Sequence, residues 1–178
     1  MTRRAADGPT GGTAPPELVA LSAAYAAAAD ARDGERFAGL FVEDGSLVVP
    51  RYPDDLRPVV TRSGRQALAR VPAGLAHFDR TFHLVGEAVF AVDGDRATGD
   101  VQCVAHHLLA PPAGAGPGPG ATPAWVDQVW FIRYRDDYVR TADGWRFARR
   151  VLHLQWVEEH AVARVGAPWP PRPDAGPA

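Results

Sequence analysis

The chain has 178 residues, 46% of them hydrophobic, and a formal net charge of −2. That describes one ordinary domain with enough apolar content for a sizeable core, and its charge balance argues against a protein that grips nucleic acid by neutralising phosphates. All 19 Lys/Arg positions are arginine, which excludes Schiff-base lysine chemistry and a Walker-type phosphate loop.

No apolar run reaches transmembrane length. Met1-Thr2-Arg3-Arg4 is followed by Gly, Pro and Thr rather than by the apolar stretch of an export signal. The expectation is a cytoplasmic protein that engages neither membrane nor nucleic acid. The single cysteine, Cys103, forbids an intrachain disulfide and a cysteine-rich metal site, and reads as a small buried hydrophobe.

Residues 1–16 are Gly-, Pro- and Thr-rich and read as a disordered leader. Pro15-Pro16-Glu17 opens a helix, with proline and an acid in the first turn. Leu18, Leu21, Tyr25, Ala28 and Ala29 recur at helical spacing, and Asp30 stands near the helix end. Asp33-Gly34 breaks the chain before a short helix, Glu35 to Phe41, and a short strand, Ser46 to Val49. Pro50 to Arg62, rich in proline and acids, reads as an irregular excursion, and Gly64 to Ala73 as a helix.

From His83 onward the pattern is strand-like: His83 to Val92, a turn at Asp93-Gly94-Asp95, then Arg96 to Leu109. The Pro/Gly-rich segment 110–123 is long for a hairpin loop, and its centre, 113–120, is expected to be mobile. Trp125 to Thr141, a turn at Asp143-Gly144, and Trp145 to Glu158 complete the series. A Pro-rich tail occupies 161–178, leaving 17–160 as the folded domain. Helices first and hairpins second predict an α+β fold, with helices against one face of a curved antiparallel sheet.

An acid at a helix C-terminus opposes the macrodipole, so Asp30 reads either as a solvated acid or cap of the next helix, or as a local conflict of the kind that marks function. His83 opens a strand and by parity shares a face with Val85, Val89 and Ala91. His106 and His107 are adjacent and point to opposite faces, His107 with Cys103 and Ala105. No His-x-His or HExxH spacing points to a metal site. Arg133, Arg135, Asp136, Asp137 and Arg140 read as a solvated, salt-bridged face, from which Arg133 or Arg135 could enter a pocket and hold an oxyanion. Trp130 and the other aromatics of the last two strands read as core, interface or pocket lining.

Taken in order, Tyr25-x4-Asp30-x2-Asp33, Leu40-Phe41-x2-Asp44-Gly45, Gly64-Arg65, Thr81-x-His83-x-Val85-Gly86, Asp93-Gly94-Asp95, Ala105-His106-His107, Arg133-Tyr134-x-Asp136-x-Tyr138, Gly144-Trp145-Arg146 and Gln155-Trp156-Val157-Glu158 resemble the SnoaL-like branch of the nuclear-transport-factor-two-like superfamily. The resemblance runs from about Leu18 to Glu159. It implies a cone-shaped α+β barrel in which a bent antiparallel sheet wraps the N-terminal helices around a deep apolar cavity. It also implies enzymes without organic cofactor and mostly without metal, among them dehydratases, a steroid isomerase and polyketide cyclases.

The dehydratases look most similar. Their catalytic Asp, His and second His fall on Asp30, His83 and His107, and a tyrosine of the bile-acid dehydratase falls on Tyr25. Ala29 stands where scytalone dehydratase has a substrate-holding tyrosine, and its Ser and Asn fall near Arg133 and Arg135, which implies a different substrate here. The resemblance thus implies an acid–base lyase or isomerase acting on a hydrophobic oxygenated ring, with His83 as base or proton shuttle, Asp30 either fixing its tautomer or taking the proton itself, and His107 and Tyr25 donating to an enolate oxygen. Arg135, Arg133 and Trp130 are the expected substrate-binding residues. Alternatives are a polyketide or epoxide-opening cyclase, and a non-catalytic binding module or small subunit of a ring-hydroxylating oxygenase. A homodimer or homotrimer through the outer sheet face is expected.

Overall fold

The structure, a computed structural model, describes residues 15–111, 125–163 and 165–166. The expected mobile segment 113–120 lies outside them, as do all but the last two residues of the leader and most of the tail.

Helix α1 (Pro16–Asp30) starts on a proline whose missing N–H needs no partner, with Glu17 in the first turn. Its alanine-rich sequence lets the sheet approach closely, and Leu18, Leu21, Ser22, Tyr25, Ala28 and Ala29 are buried. Arg32 ends it in the left-handed region, φ 54°, and the N–H groups of Arg32 and Asp33 close back on the carbonyls of Ala29 and Ala28, each at 3.0 Å. Asp33 then caps α2 (Gly34–Gly39), accepting the Arg36 N–H at 3.0 Å. Gly34 has a packing reason: a β-carbon there would collide with the Ala69 carbonyl.

Strands β1 (Phe41–Arg51) and β2 (Asp55–Ser63) form an antiparallel hairpin, so the expected irregular excursion is corrected to a strand. Pro58 fits because it faces Pro50 at a break in register and β2 is an edge strand. The expected helix 64–73 divides into α3 (Arg65–Ala69) and a 3₁₀ turn at Pro72–Leu75, where Pro72 cannot continue the α ladder. Strands β3 (Arg80–Asp93), β4 (Arg96–Leu109), β5 (Trp125–Thr141) and β6 (Gly144–Val162) follow.

The sheet order is β2-β1-β6-β5-β4-β3. Helices followed by hairpins give the expected single-domain α+β fold, with one refinement: β1 pairs parallel with β6, so the sheet is mixed rather than wholly antiparallel and does not close into a barrel. Helix α1 lies over its inner face against β3 and β6. Bulges change strand parity, two of them with consequences for which side chains face inward. Gly86 and Glu87 stand opposite the single residue Gln102. His83 and Val85 therefore face inward but Ala88 and Phe90 succeed them, and Val89, with Ala91, turns outward against expectation. A second irregularity in β6, around Ala148, turns Arg150 inward.

Arg150 is thereby wholly buried. Its Nε and Nη2 donate to the two Asp136 oxygens at 2.8 and 2.7 Å, and Tyr138 donates to Asp136 Oδ2 at 2.7 Å. The guanidinium lies 4.3, 4.1 and 4.2 Å from the ring centres of Tyr25, Tyr134 and Phe147. Asp136, expected on a solvated face, is instead the buried partner of this arginine.

Candidate active site

The last residue of α1 and the start of β3 meet. Asp30 Oδ1 accepts from the His83 ring at Nδ1 (2.7 Å) and from Thr81 Oγ1 (2.8 Å), while Oδ2 accepts the His83 backbone N–H at 3.0 Å. Burial opposes the Asp30 charge, but the hydrogen bonds from His83 and Thr81 outweigh it and hold the carboxyl below its ordinary value. An ionised carboxylate only accepts, so Nδ1 of His83 carries the proton and Nε2 is left as the basic nitrogen.

His107 lies on the neighbouring strand, its ring centre 5.8 Å from that of His83. It is 2% exposed. Burial first, and then the His83 charge, push it down to about 4. Its Nδ1 stands 3.2 Å from the Gln128 carbonyl oxygen. A carbonyl can only accept, so Nδ1 donates and Nε2 presents a lone pair. His106 points to the other face, where its Nδ1 pairs with Asp127 at 2.7 Å. The structure thus unites Asp30, His83 and His107 and separates His106 from them.

A cleft of about 560 Å³ lies between the β1–β2 hairpin and the segment 74–78; Asp30, His83 and His107 do not line it, and Phe78 and Trp130 connect it to them. Trp130 and Phe78 form its wall and also touch His107, with ring centres at 4.7 and 4.6 Å. Tyr52 packs on Trp130 at 4.8 Å, and Trp130 Nε1 donates to Gln128 Oε1 at 3.0 Å. Of the expected substrate-binding residues, Trp130 is the one that lines this cleft.

Three expected site residues are placed elsewhere. Arg133 and Arg135 are on the outward parity of β5 and exposed; Arg133 pairs with Asp100 and lines an outer-face groove. Neither enters the cleft. Tyr25 is in the core among Phe37, Phe41, Tyr134 and Phe147, over Arg150, where burial pushes its hydroxyl up to about 12. It has no hydrogen bond to Asp30, His83 or His107 among the described residues.

Thr81, Phe78, Gln128 and Arg32 join the site without having been expected there. Thr81 was detectable: it lies two residues before His83 on the same strand face. Arg32 Nη2 donates to the Phe78 and Leu75 carbonyls at 2.6 and 3.3 Å, tying the cleft wall to the end of α1. No local pattern announces such a bond across 46 residues. Among the described residues no group of three or more His, Cys, Asp or Glu side chains is placed to hold a metal ion.

Residues 16–151 match the SnoaL-like domain. No curated protein matches the sequence. Among solved structures, the chain is similar to Rv3472 of Mycobacterium tuberculosis, a protein of unknown function solved as a point variant (29% identity, 79% of this chain and 70% of that one, TM-score 0.60). It is also similar to a scytalone dehydratase-like protein of Novosphingobium aromaticivorans (21% identity, 85% and 94%, TM-score 0.64). A type 2 hexachlorocyclohexane dehydrochlorinase shares the fold (14% identity, 86% and 92%, TM-score 0.65).

Proposed function

The chain belongs to the SnoaL-like family, and we propose that it is an acid–base lyase that eliminates water beside a carbonyl in an oxygenated ring compound. The observation that carries this reading is the Asp30–His83 pair, with the basic Nε2 of His83 left without a protein hydrogen-bond partner among the described residues. In the reaction His83 Nε2 takes the proton from the carbon next to the carbonyl. That electron pair forms the new double bond as the β-carbon–oxygen bond breaks. The departing hydroxide takes the proton back from the imidazolium and leaves as water, restoring the site. The Asp30 carboxylate stabilises the imidazolium between the two transfers.

His107 has a different part from the donor expected. Neutral, and with Nδ1–H committed to Gln128, it accepts a hydrogen bond from the substrate hydroxyl at Nε2 and orients the leaving group. Two structural neighbours bear the names dehydratase and dehydrochlorinase, both of which denote eliminations.

The test is proton exchange in D₂O with bicyclic ketones of the tetralone and chromanone type, read by NMR. The expected result is deuterium at the carbon next to the carbonyl, at a rate above buffer. Exchange at the buffer rate with every ketone contradicts the reading.

Self-association through the outer sheet face belongs to the same proposal. Phe82 and Leu84 (61% and 56% exposed) and Trp156 stacked on Phe131 support it.

A further inference from the structure

The cleft changes character along its length. The end at Phe78 and Trp130, the two rings that touch His107, is apolar and aromatic. The other end is walled by the β1–β2 hairpin, from which Arg51 and Arg62 line the cleft. Among the described residues no aspartate or glutamate lines it. Both arginines are exposed, and among the described residues neither forms an ion pair with a carboxylate within 4.0 Å. Asp55, at the turn facing Arg51, is held by Arg57, whose Nε and Nη2 donate to it at 3.0 and 2.8 Å. Glu159, near the cleft floor, accepts from Gln128 Nε2 at 2.9 Å.

We infer that the substrate carries an anionic group, a carboxylate or its equivalent, and that Arg51 and Arg62 receive it at the outer end of the cleft. The inference rests on the reading of this cleft as the substrate site. Guanidinium groups suit the task because they are always charged and offer paired N–H donors to a planar anion. Both stay hydrated in the free protein, so little desolvation opposes binding. The molecule then has a polarity of its own. The anion sits at the hairpin, the ring lies across Trp130 and Phe78, and the reacting carbon lies at His83 and His107. The roughly 560 Å³ accommodates a skeleton of two or three rings.

The probes are 2-naphthoate and its neutral counterpart 2-naphthamide, titrated by NMR at low salt. Naphthoate is expected to bind at least about tenfold more tightly, with the preference shrinking as salt is added. In the exposed, fold-neutral double variant Arg51→Gln/Arg62→Gln the two affinities come within about threefold, while naphthamide binding is unchanged and the melting temperature confirms folding. Equal affinities in the wild type, a preference that survives the double variant, or no binding of either probe overturns the inference. The two readings fail separately. Ketone exchange without an anion preference sinks this one alone, and an anion preference without exchange sinks the lyase reading alone.

Discussion

Asp30 holds His83 by two routes at once, through the ring Nδ1 at 2.7 Å and through the backbone N–H at 3.0 Å. The first fixes the tautomer and the ring plane; the second fixes the strand that carries the ring. Thr81 fills a further acceptor position on Oδ1. A carboxylate so saturated has little freedom to swing away, and the only basic edge left to the imidazole is Nε2.

The neutrality of His107 gives stability a pH dependence of definite sign. Its pKa falls from the ordinary 6.5 to about 4 on folding, so between those values the unfolded chain binds the proton and the folded one does not. Stability is full above pH 6.5 and declines as pH falls toward 4, by up to about 3 kcal/mol. His153, also lowered, first by burial and then by Arg135, adds the same sign. Asp30, lowered from 3.8, acts only below that window. Urea unfolding at about pH 7 and about pH 4.5 should show the decline in the wild type and a flatter profile in His107→Gln. Equal slopes in the two proteins would contradict the placement.

Arg32 should be a positioning residue. Arg32→Ala removes the donors to the Phe78 and Leu75 carbonyls and should cost about 1–2 kcal/mol. The loosening should be local, with faster amide hydrogen exchange over residues 72–79 and a raised KM. Unchanged exchange in that segment would count against this role.

The buried Arg150–Asp136 pair should be intolerant of half-removal. Asp136→Ala leaves the charge of Arg150 without its partner in the core and should cost about 3–5 kcal/mol. Removing both charges with Asp136→Leu/Arg150→Met should recover most of that loss. A single variant within about 1 kcal/mol of the wild type, by denaturant unfolding, would contradict the assignment.

If the outer face covers itself with a second copy, light scattering at micromolar concentration should give a multiple of the chain mass. Phe82→Ser/Leu84→Ser, both on exposed positions, should reduce it toward one chain. A wild-type mass of a single chain refutes self-association.

Much of this molecule is readable in its sequence. Period-two alternation marks β4 and β5, the Asp-Gly turns mark their ends, and the adjacent pair His106-His107 forces one ring inward and one outward. The Asp30–His83 meeting follows from the family order of motifs. Two of the departures share a cause, since each depends on register that no local pattern carries. One bulge at Gly86–Glu87 reverses the face of Val89, and another near Ala148 buries Arg150, drawing Asp136 inside. The β2 strand is hidden by Pro58, which an edge position tolerates. Arg133 and Arg135 have the opposite parity to Trp130 on the same strand, which keeps both out of the cleft.

That the Asp30–His83 pair moves the proton is tested most directly by ketone exchange in His83→Ala, Asp30→Asn and His106→Ala. Substitution of His83 or Asp30 should lower the exchange rate by roughly two to four orders of magnitude with the fold retained. His106→Ala, on the opposite face, should leave it within about threefold of the wild type. Folded His83→Ala and Asp30→Asn proteins that exchange at the wild-type rate would contradict the claim.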